Sequence, residues 1–182
     1  MSVVIDGKTL LTYSDYVHFP EDGQKHEIIG GVHYVTASPF TRHQRISRWM
    51  QFQLFEQIEV PGHGHVIDAP MDVIFSDIDI VQPDLIVVLE KQMAIITEKH
   101  IRGVPDLVVE ITSPSTKKRD LELKKSLYQS HGVPEYWVVL ADTDAVEQHV
   151  LDAGVYQLAG RFEERIEFRG RAGVAVDLKK VW

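Results

Sequence analysis

Lys124 lies in the middle of an otherwise apolar stripe on a predicted helix. On a helical wheel drawn over residues 116–130, its neighbours on one continuous arc are Asp120, Leu121, Leu123, Leu127 and Tyr128. The opposite arc carries the polar side chains expected of a solvent face, which are Lys118, Arg119, Glu122, Lys125, Ser126 and Gln129. Removing an unpaired charge from water costs several kcal/mol or more. Lys124 and Asp120 must therefore meet partners inside the fold.

Two acidic residues on two separate predicted strands are the expected partners. Asp84 lies in the apolar run Val81–Leu89, and Glu110 lies in the run Val104–Thr112. With the backbone carbonyl of Ile111, they offer the hard oxygen ligands that Mg²⁺ prefers. Bound magnesium can supply the nucleophilic water and the charge neutralisation that phosphodiester hydrolysis needs, and a nearby lysine can stabilise developing charge. We predict a divalent metal site here.

Each of these residues also has a structural interpretation that the pattern leaves open. A Pro-Asp dipeptide such as Pro83-Asp84 is a common turn at the edge of a strand, and a glutamate on a half-buried strand often faces solvent. Lys124 and Asp120 could form an i,i+4 ion pair that reaches the edge of the helix. The metal-site interpretation therefore depends on the charged residues taken together.

Basic residues surround the predicted site. Lys117, which is near the apolar arc, comes just before Lys118 and Arg119, and Lys125 follows Lys124. Protein–DNA contacts to phosphate are made largely by such side chains. We predict that Lys117, Lys118, Arg119 and Lys125 bind phosphate.

Composition limits the class of protein. A chain of 182 residues with 44% hydrophobic and 25% charged residues fits one globular domain over residues 1–182. The absence of cysteine excludes disulfides and thiolate metal sites, so oxygen or imidazole must hold any metal. The formal charge of −8 argues against a general nucleic-acid coat. It does not exclude a nuclease, because local fields matter more than the total charge.

Residues Met1–Lys8 show no charged segment followed by a long apolar run, and no later segment approaches the roughly 20 apolar residues of a membrane span. We expect a cytoplasmic protein without a membrane partner.

The order of apolar runs and turns predicts the fold class. Helices are expected over residues 13–19, 41–59 and 116–130, with a connector over 90–102. The predicted strands are His26–Ile29 and Val32–Val35 around a Gly30-Gly31 turn, then Val66–Ile74, Val81–Leu89, Val104–Thr112 and Glu135–Leu140, then a C-terminal β meander over 146–151, 155–158 and 165–168, with a short element over 174–182. This order favours an α/β or α+β fold, with a mixed central sheet flanked by helices and preceded by an N-terminal hairpin.

A series of short motifs, taken in order, resembles one family. The motifs are His26-Glu-Ile-Ile-Gly-Gly, Ser38-Pro-Phe-Thr-Arg-His-Gln, Gln82-Pro-Asp-Leu, Pro105-Asp-Leu-Val-Val-Glu-Ile, Ser113-Pro-Ser-Thr, Asp120 with Lys124 and Tyr128, and Gly132-Val-Pro-Glu-Tyr-Trp. They resemble the Uma-type restriction endonuclease family of the PD-(D/E)XK nuclease superfamily over about residues 11–158. The resemblance implies a restriction endonuclease-like core and divalent-metal chemistry on nucleic acid.

The resemblance also implies roles for individual residues. Asp84 corresponds to the first acidic ligand and Glu110 to the second, while the lysine expected two positions later is Thr112 here. In this family the lysine comes from the following helix, at Lys124, in agreement with the helical wheel. Glu27 resembles an additional acid near the metal. Gly30 stands where the family commonly has aspartate, a departure that affects the turn more than the chemistry.

Other residues are secondary candidates. His43 and Gln44 match a His-Gln pair at the start of the long helix, where phosphate contact and a polar capping role are both open. Asp120 would orient Lys124, and Tyr128 would form a wall of the pocket. His63 and His65 lie in a turn without a third ligand and are expected to be loop residues, and the aromatics of Glu135-Tyr-Trp are expected in the core.

The leading hypothesis is an endodeoxyribonuclease that uses Mg²⁺ or Mn²⁺, with DNA as substrate and, by analogy with the superfamily, a homodimer. A catalytically silent nucleic-acid or protein-binding module that keeps the fold is the alternative. A hydrolase of smaller phosphate esters is the third candidate.

Overall fold

The structure is a computed structural model that describes residues 3–5, 8–113 and 117–182. Its strands are β1 (Val3–Ile5), β2 (Lys8–Leu10), β3 (Lys25–Ile29), β4 (Val32–Thr36), β5 (Gly64–Asp68), β6 (Val73–Ser76), β7 (Asp79–Val81), β8 (Leu85–Leu89), β9 (Ile101–Arg102), β10 (Leu107–Ile111), β11 (Glu135–Leu140), β12 (Ala145–Asp152), β13 (Val155–Phe162), β14 (Arg165–Glu167) and β15 (Ala175–Asp177). The α-helices are α1 (Tyr13–Tyr16), α2 (Thr41–Ile58) and α3 (Lys125–Ser130), with a π-helical segment at Arg119–Lys124 and 3₁₀ turns at Glu90–Ile95 and Leu178–Lys180.

Two mixed sheets contain eleven of these strands, while β1 pairs with β2 and β14 pairs with β15 in two-stranded sheets. The larger has the order β13-β12-β11-β10-β8-β5, and only β10 and β11 are parallel. The second has the order β4-β3-β7-β6-β9. The predicted class, a mixed α+β fold with helices on the sheet, is confirmed.

Two predicted strands are each divided between the sheets. The predicted strand Val66–Ile74 is wrong, because β5 ends at Asp68 in the large sheet and β6 begins at Val73 in the second sheet. Likewise, β7 belongs to the second sheet and β8 to the large one. A proline interrupts each run and cannot donate to a strand ladder. The second break places Asp84 directly before β8, between the two sheets.

Alternation along the central strands determines which helix each side chain meets. Val87, Val109 and Trp137 pack with the apolar face of α2 in one core cluster. Ile86 and Val108 pack in a second cluster with residues of α3. Both faces of β8 and β10 are buried, in agreement with a continuous apolar run in β8 and a run in β10 that only Glu110 interrupts.

The remaining predictions agree in part with the structure. The hairpin turn at Gly30-Gly31 has positive φ at both glycines, and β11 matches its predicted bounds. The predicted helix over 13–19 ends at Tyr16. β12 and β13 form the predicted meander, but β14 leaves it and pairs with β15. Pro114, Ser115 and Thr116, which include the predicted helix start, lie outside the described residues.

No helix within the described ranges is both long enough and apolar enough to cross a membrane.

Candidate active site

A cleft of about 610 Å³ opens where the two sheets and two helical segments come together. Its lining includes Lys25 from β3, His43 from α2, Asp84 before β8, Glu110 from β10 and Lys124 from the π-helical segment. These residues are far apart in sequence. The topology brings them to one place because β8 and β10 are adjacent strands of the large sheet.

Lys124 is buried and bridges two carboxylates. Its side chain is 1% exposed, and its Nζ lies 2.8 Å from Oε1 of Glu110 and 2.7 Å from Oε1 of Glu27. The alternative, an ion pair of Lys124 and Asp120 at the helix edge, requires an ammonium that reaches solvent. The burial of Lys124 contradicts it. Asp120 is also buried and lines the same cleft. Its carbonyl accepts a hydrogen bond from the Tyr136 hydroxyl at 2.9 Å, which anchors the π-helical turn.

Strand alternation directs Glu110 toward this lysine. Val108 faces the cluster that contains α3, and Glu110, two residues later, points the same way. Tyr128 donates its hydroxyl to Oε1 of Glu110 at 2.6 Å, so it orients the carboxylate, but it is not among the described residues that form the cleft wall. Thr112 bonds the carbonyl of Val139 through its hydroxyl. The position where the superfamily expects lysine is thus used to hold β10 against β11.

Asp84 is held by donors from three directions. The backbone N–H of Ile111 and the His43 ring bond Oδ2 at 2.8 Å and 3.0 Å. Lys25 donates to Oδ1 at 2.7 Å. His43 therefore contacts Asp84, and within the described ranges no side chain makes a capping hydrogen bond at the start of α2. These contacts fix Asp84 against the end of the strand that carries Glu110.

Lys25 is the site residue that the sequence analysis missed. It lies two residues before Glu27 on β3, so both side chains emerge from one face of the strand. One reaches Asp84 and the other reaches Lys124. Because Glu27 was already a candidate, its spacing of two residues from Lys25 was the sequence signal that could have predicted Lys25 at the site.

Glu27 is fully buried behind the cleft. Its Oε1 also accepts the backbone N–H of Gln82 at 3.0 Å. Its Oε2 has no hydrogen-bond partner in the described part of the chain, and a guanidinium nitrogen of Arg119 lies 3.9 Å from it. The cluster thus retains an unmatched buried acceptor.

The predicted phosphate-binding residues separate in the structure. Arg119 lines the cleft and donates to the Thr36 hydroxyl at 2.6 Å. Lys117 instead pairs with Asp142, and Lys118 and Lys125 are not among the described residues that line the cleft. Gln44 lies on the cleft wall one position after His43. The roles of all these residues stay predictions.

Burial and charge shift the pKa values of the cluster in opposite directions. Burial, together with the Asp84 and Asp120 carboxylates, raises the pKa of Glu110 to about 7 despite the Lys124 ammonium. Burial opposes ionisation of Asp84 and Glu27, but nearby lysines hold the pKa of both below the usual values. Against the effect of burial, the carboxylates of Glu110 and Glu27 raise the pKa of Lys124. Glu110 is therefore the carboxylate with the least compensated charge.

The raised pKa of Glu110 predicts a pH-dependent stability. A folded-state pKa of about 7 against an ordinary value of 4.5 means that the folded state binds this proton more tightly. The resulting stabilisation is complete below about pH 4.5 and is lost as the pH rises through about 7. Glu110→Gln removes this titration. Wild type loses up to about 3 kcal/mol in free energy of unfolding as the pH rises from about 4.5 to about 7, and the variant does not. The difference between the two proteins should therefore shift in favour of the variant by that amount over this range.

Urea unfolding of both proteins across this pH range measures the difference. A difference that stays constant with pH would contradict the assignment to Glu110.

The acids of the cluster offer oxygens of the type that a hard divalent cation takes. Asp84 and Glu110 present carboxylate oxygens to one cleft, and Oε2 of Glu27 is a buried acceptor without a hydrogen-bond donor among the described residues. Magnesium and manganese prefer such oxygens. Within the described ranges, no group of three or more His, Asp or Glu residues forms a ready-made metal cage. The lysine ammonium groups instead neutralise the acids.

Comparisons with known proteins agree with this fold. Residues 13–178 match the Uma2 family, described as "Putative restriction endonuclease". A crystal structure of a putative nuclease belonging to DUF820, from Anabaena variabilis ATCC 29413, superimposes with a TM-score of 0.78 and 17% sequence identity, covering 94% of this chain and 97% of that one. At that identity the likeness shows the fold alone. No curated protein matches the sequence.

Proposed function

Because the chain belongs to the Uma2 family, described as putative restriction endonuclease, we propose that it is a metal-dependent endonuclease that hydrolyses DNA phosphodiester bonds. The observation that carries this proposal is the convergence of Asp84, Glu110 and Lys124 on one cleft. An acid directly before β8, an acid on the adjacent strand β10 and a buried lysine can together hold a divalent ion and stabilise charge on a phosphate.

In this proposal Asp84, Glu110 and the carbonyl of Ile111 hold Mg²⁺ or Mn²⁺. The bound ion would supply an activated water and neutralise charge on the phosphate. Lys124 keeps Glu110 oriented and adds positive charge beside the reacting phosphate. Tyr128 holds Glu110 from the other side. The hydrogen bonds from Lys124 and Tyr128 hold the Glu110 carboxylate in one orientation, which supports this assignment because catalysis needs precise positioning.

Substrate binding would use the cleft wall. Arg119 and Gln44 line the cleft, and His43 lies near the amino terminus of α2. Arginine and a helix amino terminus both favour phosphate. By analogy with the superfamily, we propose that the protein acts as a homodimer.

The proposal is tested by cleavage. Purified protein with plasmid, linear and single-stranded DNA should give cleaved product in Mg²⁺ or Mn²⁺ and none in EDTA. Glu110→Ala, purified identically, controls for contaminating nuclease. DNA binding without product would favour the silent binding module, and hydrolysis of small phosphodiesters alone would favour the third candidate.

Lys25 makes a separate prediction about metal binding. Its ammonium lies 2.7 Å from Oδ1 of Asp84, where it repels a cation that approaches the same carboxylate. We expect Lys25→Met to tighten Mn²⁺ binding about tenfold or more, which corresponds to about 1.4 kcal/mol. Calorimetric titration without DNA measures the effect independently of activity.

Lys91→Met is the matched control, since Lys91 lies 3.5 Å from the buried Asp106, outside the cleft lining. Mn²⁺ affinity that is unchanged or weaker in Lys25→Met would contradict the prediction.

A further inference from the structure

The outward face of α2 is apolar where a solvent face should be polar. Its inner face carries Ile46, Met50, Leu54 and Ile58 in the core. On the opposite face, Trp49, Phe52 and Phe55 are 40%, 48% and 41% exposed. Trp49 and Phe52 contact each other edge-on at 6.1 Å between ring centroids. Exposed groups of large apolar side chains mark interaction sites.

The residues of this face are arranged symmetrically about Phe52. Trp49 and Phe55 lie three positions to either side of it, and Arg48 and Glu56 lie four positions away. Arg45 and Glu59 lie seven positions away. These spacings keep all of them on one side of a helix. The amino-terminal half of the face is therefore basic and the carboxyl-terminal half is acidic.

We propose that this face binds the same face of a second copy of the chain, in an antiparallel helix pair with its two-fold axis at Phe52. A two-fold interface uses one patch twice, so the patch must complement itself. In the antiparallel pair each basic half lies opposite an acidic half, and the aromatic rings meet at the centre. A parallel pair would place arginine against arginine, so the charge pattern selects the antiparallel arrangement.

Arg48 and Glu56 are the charges available for this contact. Arg45 donates to the Trp182 carbonyl, and Glu59 accepts the backbone N–H of Val66. Arg48 and Glu56 are exposed, and in the described part of the chain neither has an ion-pair partner. The pair between copies would satisfy both.

The arrangement also relates the two clefts. Gln44, Ser47 and Gln51 line the cleft along one flank of this face, and Arg48, on the same flank, belongs to both the face and the cleft lining. In such a pair the two-fold axis is perpendicular to the plane that contains both helix axes. Rotation about it exchanges the copies but leaves this flank of each helix on the same side of that plane. Both clefts then open on one side of the dimer, where they could act on the two strands of a duplex. This consequence rests on the proposed function, whereas the dimer itself does not.

Sedimentation velocity tests the association. Wild-type chain at high micromolar concentration is expected to sediment with about twice its monomer mass of 20.7 kDa. Phe52→Asp should weaken association at least about tenfold, or about 1.4 kcal/mol. Leu158→Asp is the matched control, because Leu158 is 57% exposed on β13.

Charge reversal gives a second, independent readout. Arg48→Glu and Glu56→Arg should each weaken association by placing like charges together. The double variant should recover it, because each copy again presents opposite charges.

Three results would overturn the proposal: a monomeric wild type, a dimer that Phe52→Asp leaves intact, or a double variant no better than the single ones. A monomer whose duplex DNA binding falls on Phe52→Asp would assign the face to nucleic acid instead. Because the readout is mass, a failure of the cleavage test leaves the dimer proposal standing.

Discussion

Replacing Lys124 with methionine is expected to lower the free energy of unfolding by about 3 to 5 kcal/mol at neutral pH and to abolish DNA cleavage. Methionine fills much of the same space but carries no charge. Glu27 and Glu110 now share one ammonium within 2.8 Å. Without it, each buried carboxylate must either keep an unpaired charge or take up a proton, and both cost free energy of folding. Urea unfolding followed by circular dichroism measures the first effect, and plasmid cleavage measures the second.

A second substitution separates stability from chemistry. Adding Glu27→Gln to Lys124→Met removes one of the orphaned charges, so stability should recover in part while cleavage stays lost. Lys118→Met, on the exposed side of the same helical stretch, is the control for unfolding. Wild-type stability in the single variant would show that Lys124 does not hold the two acids together.

Asp84→Asn is expected to reduce cleavage about a thousandfold while the fold is retained. A metal ligand contributes several kcal/mol of charge stabilisation, and each loss of about 1.4 kcal/mol is a tenfold loss in rate. The asparagine carbonyl can still accept from the Ile111 N–H, which Asp84 bonds at 2.8 Å. Initial rates in Mg²⁺, with circular dichroism to verify folding, provide the measurement.

Asp106→Asn is a closely matched control. Asp106 also follows a proline, is buried, and bonds a backbone N–H at 2.8 Å, that of Leu89. It also lies 3.5 Å from a lysine, Lys91, but it is not among the cleft-lining residues. Cleavage should be unchanged in this variant. Equal losses in Asp84→Asn and Asp106→Asn would show that the effect is structural.

Local sequence patterns do not determine which of these two aspartates reaches the cleft. Pro83-Asp84 and Pro105-Asp106 both precede apolar runs, and local pattern gives no reason to choose between them. The structure separates them because Asp84 bonds the carboxyl-terminal end of β10, beside Glu110, whereas Asp106 precedes the same strand and bonds β8. Which end of a strand an acid reaches depends on how the strands pair.

Helical and strand periods were enough to predict several parts of this protein. The spacing of apolar residues indicated that Lys124 faces inward, and its burial agrees. The apolar runs around Asp84 and Glu110 predicted strands there, and β8 and β10 are strands within these runs. These features follow from local geometry, because the period of an element depends on its own residues alone.

The partners of the charged groups could not be obtained in this way. Lys25 and Asp84 are 59 positions apart, and they meet only because prolines divide two apolar runs between separate sheets. Electrostatic energy depends on distances through space, which the order of strands in a sheet determines and a local pattern does not. The inward position of Lys124 could therefore be predicted from the sequence. Its contacts with Glu27 and Glu110, and the position of Lys25 beside Asp84, depend on how the strands assemble into sheets.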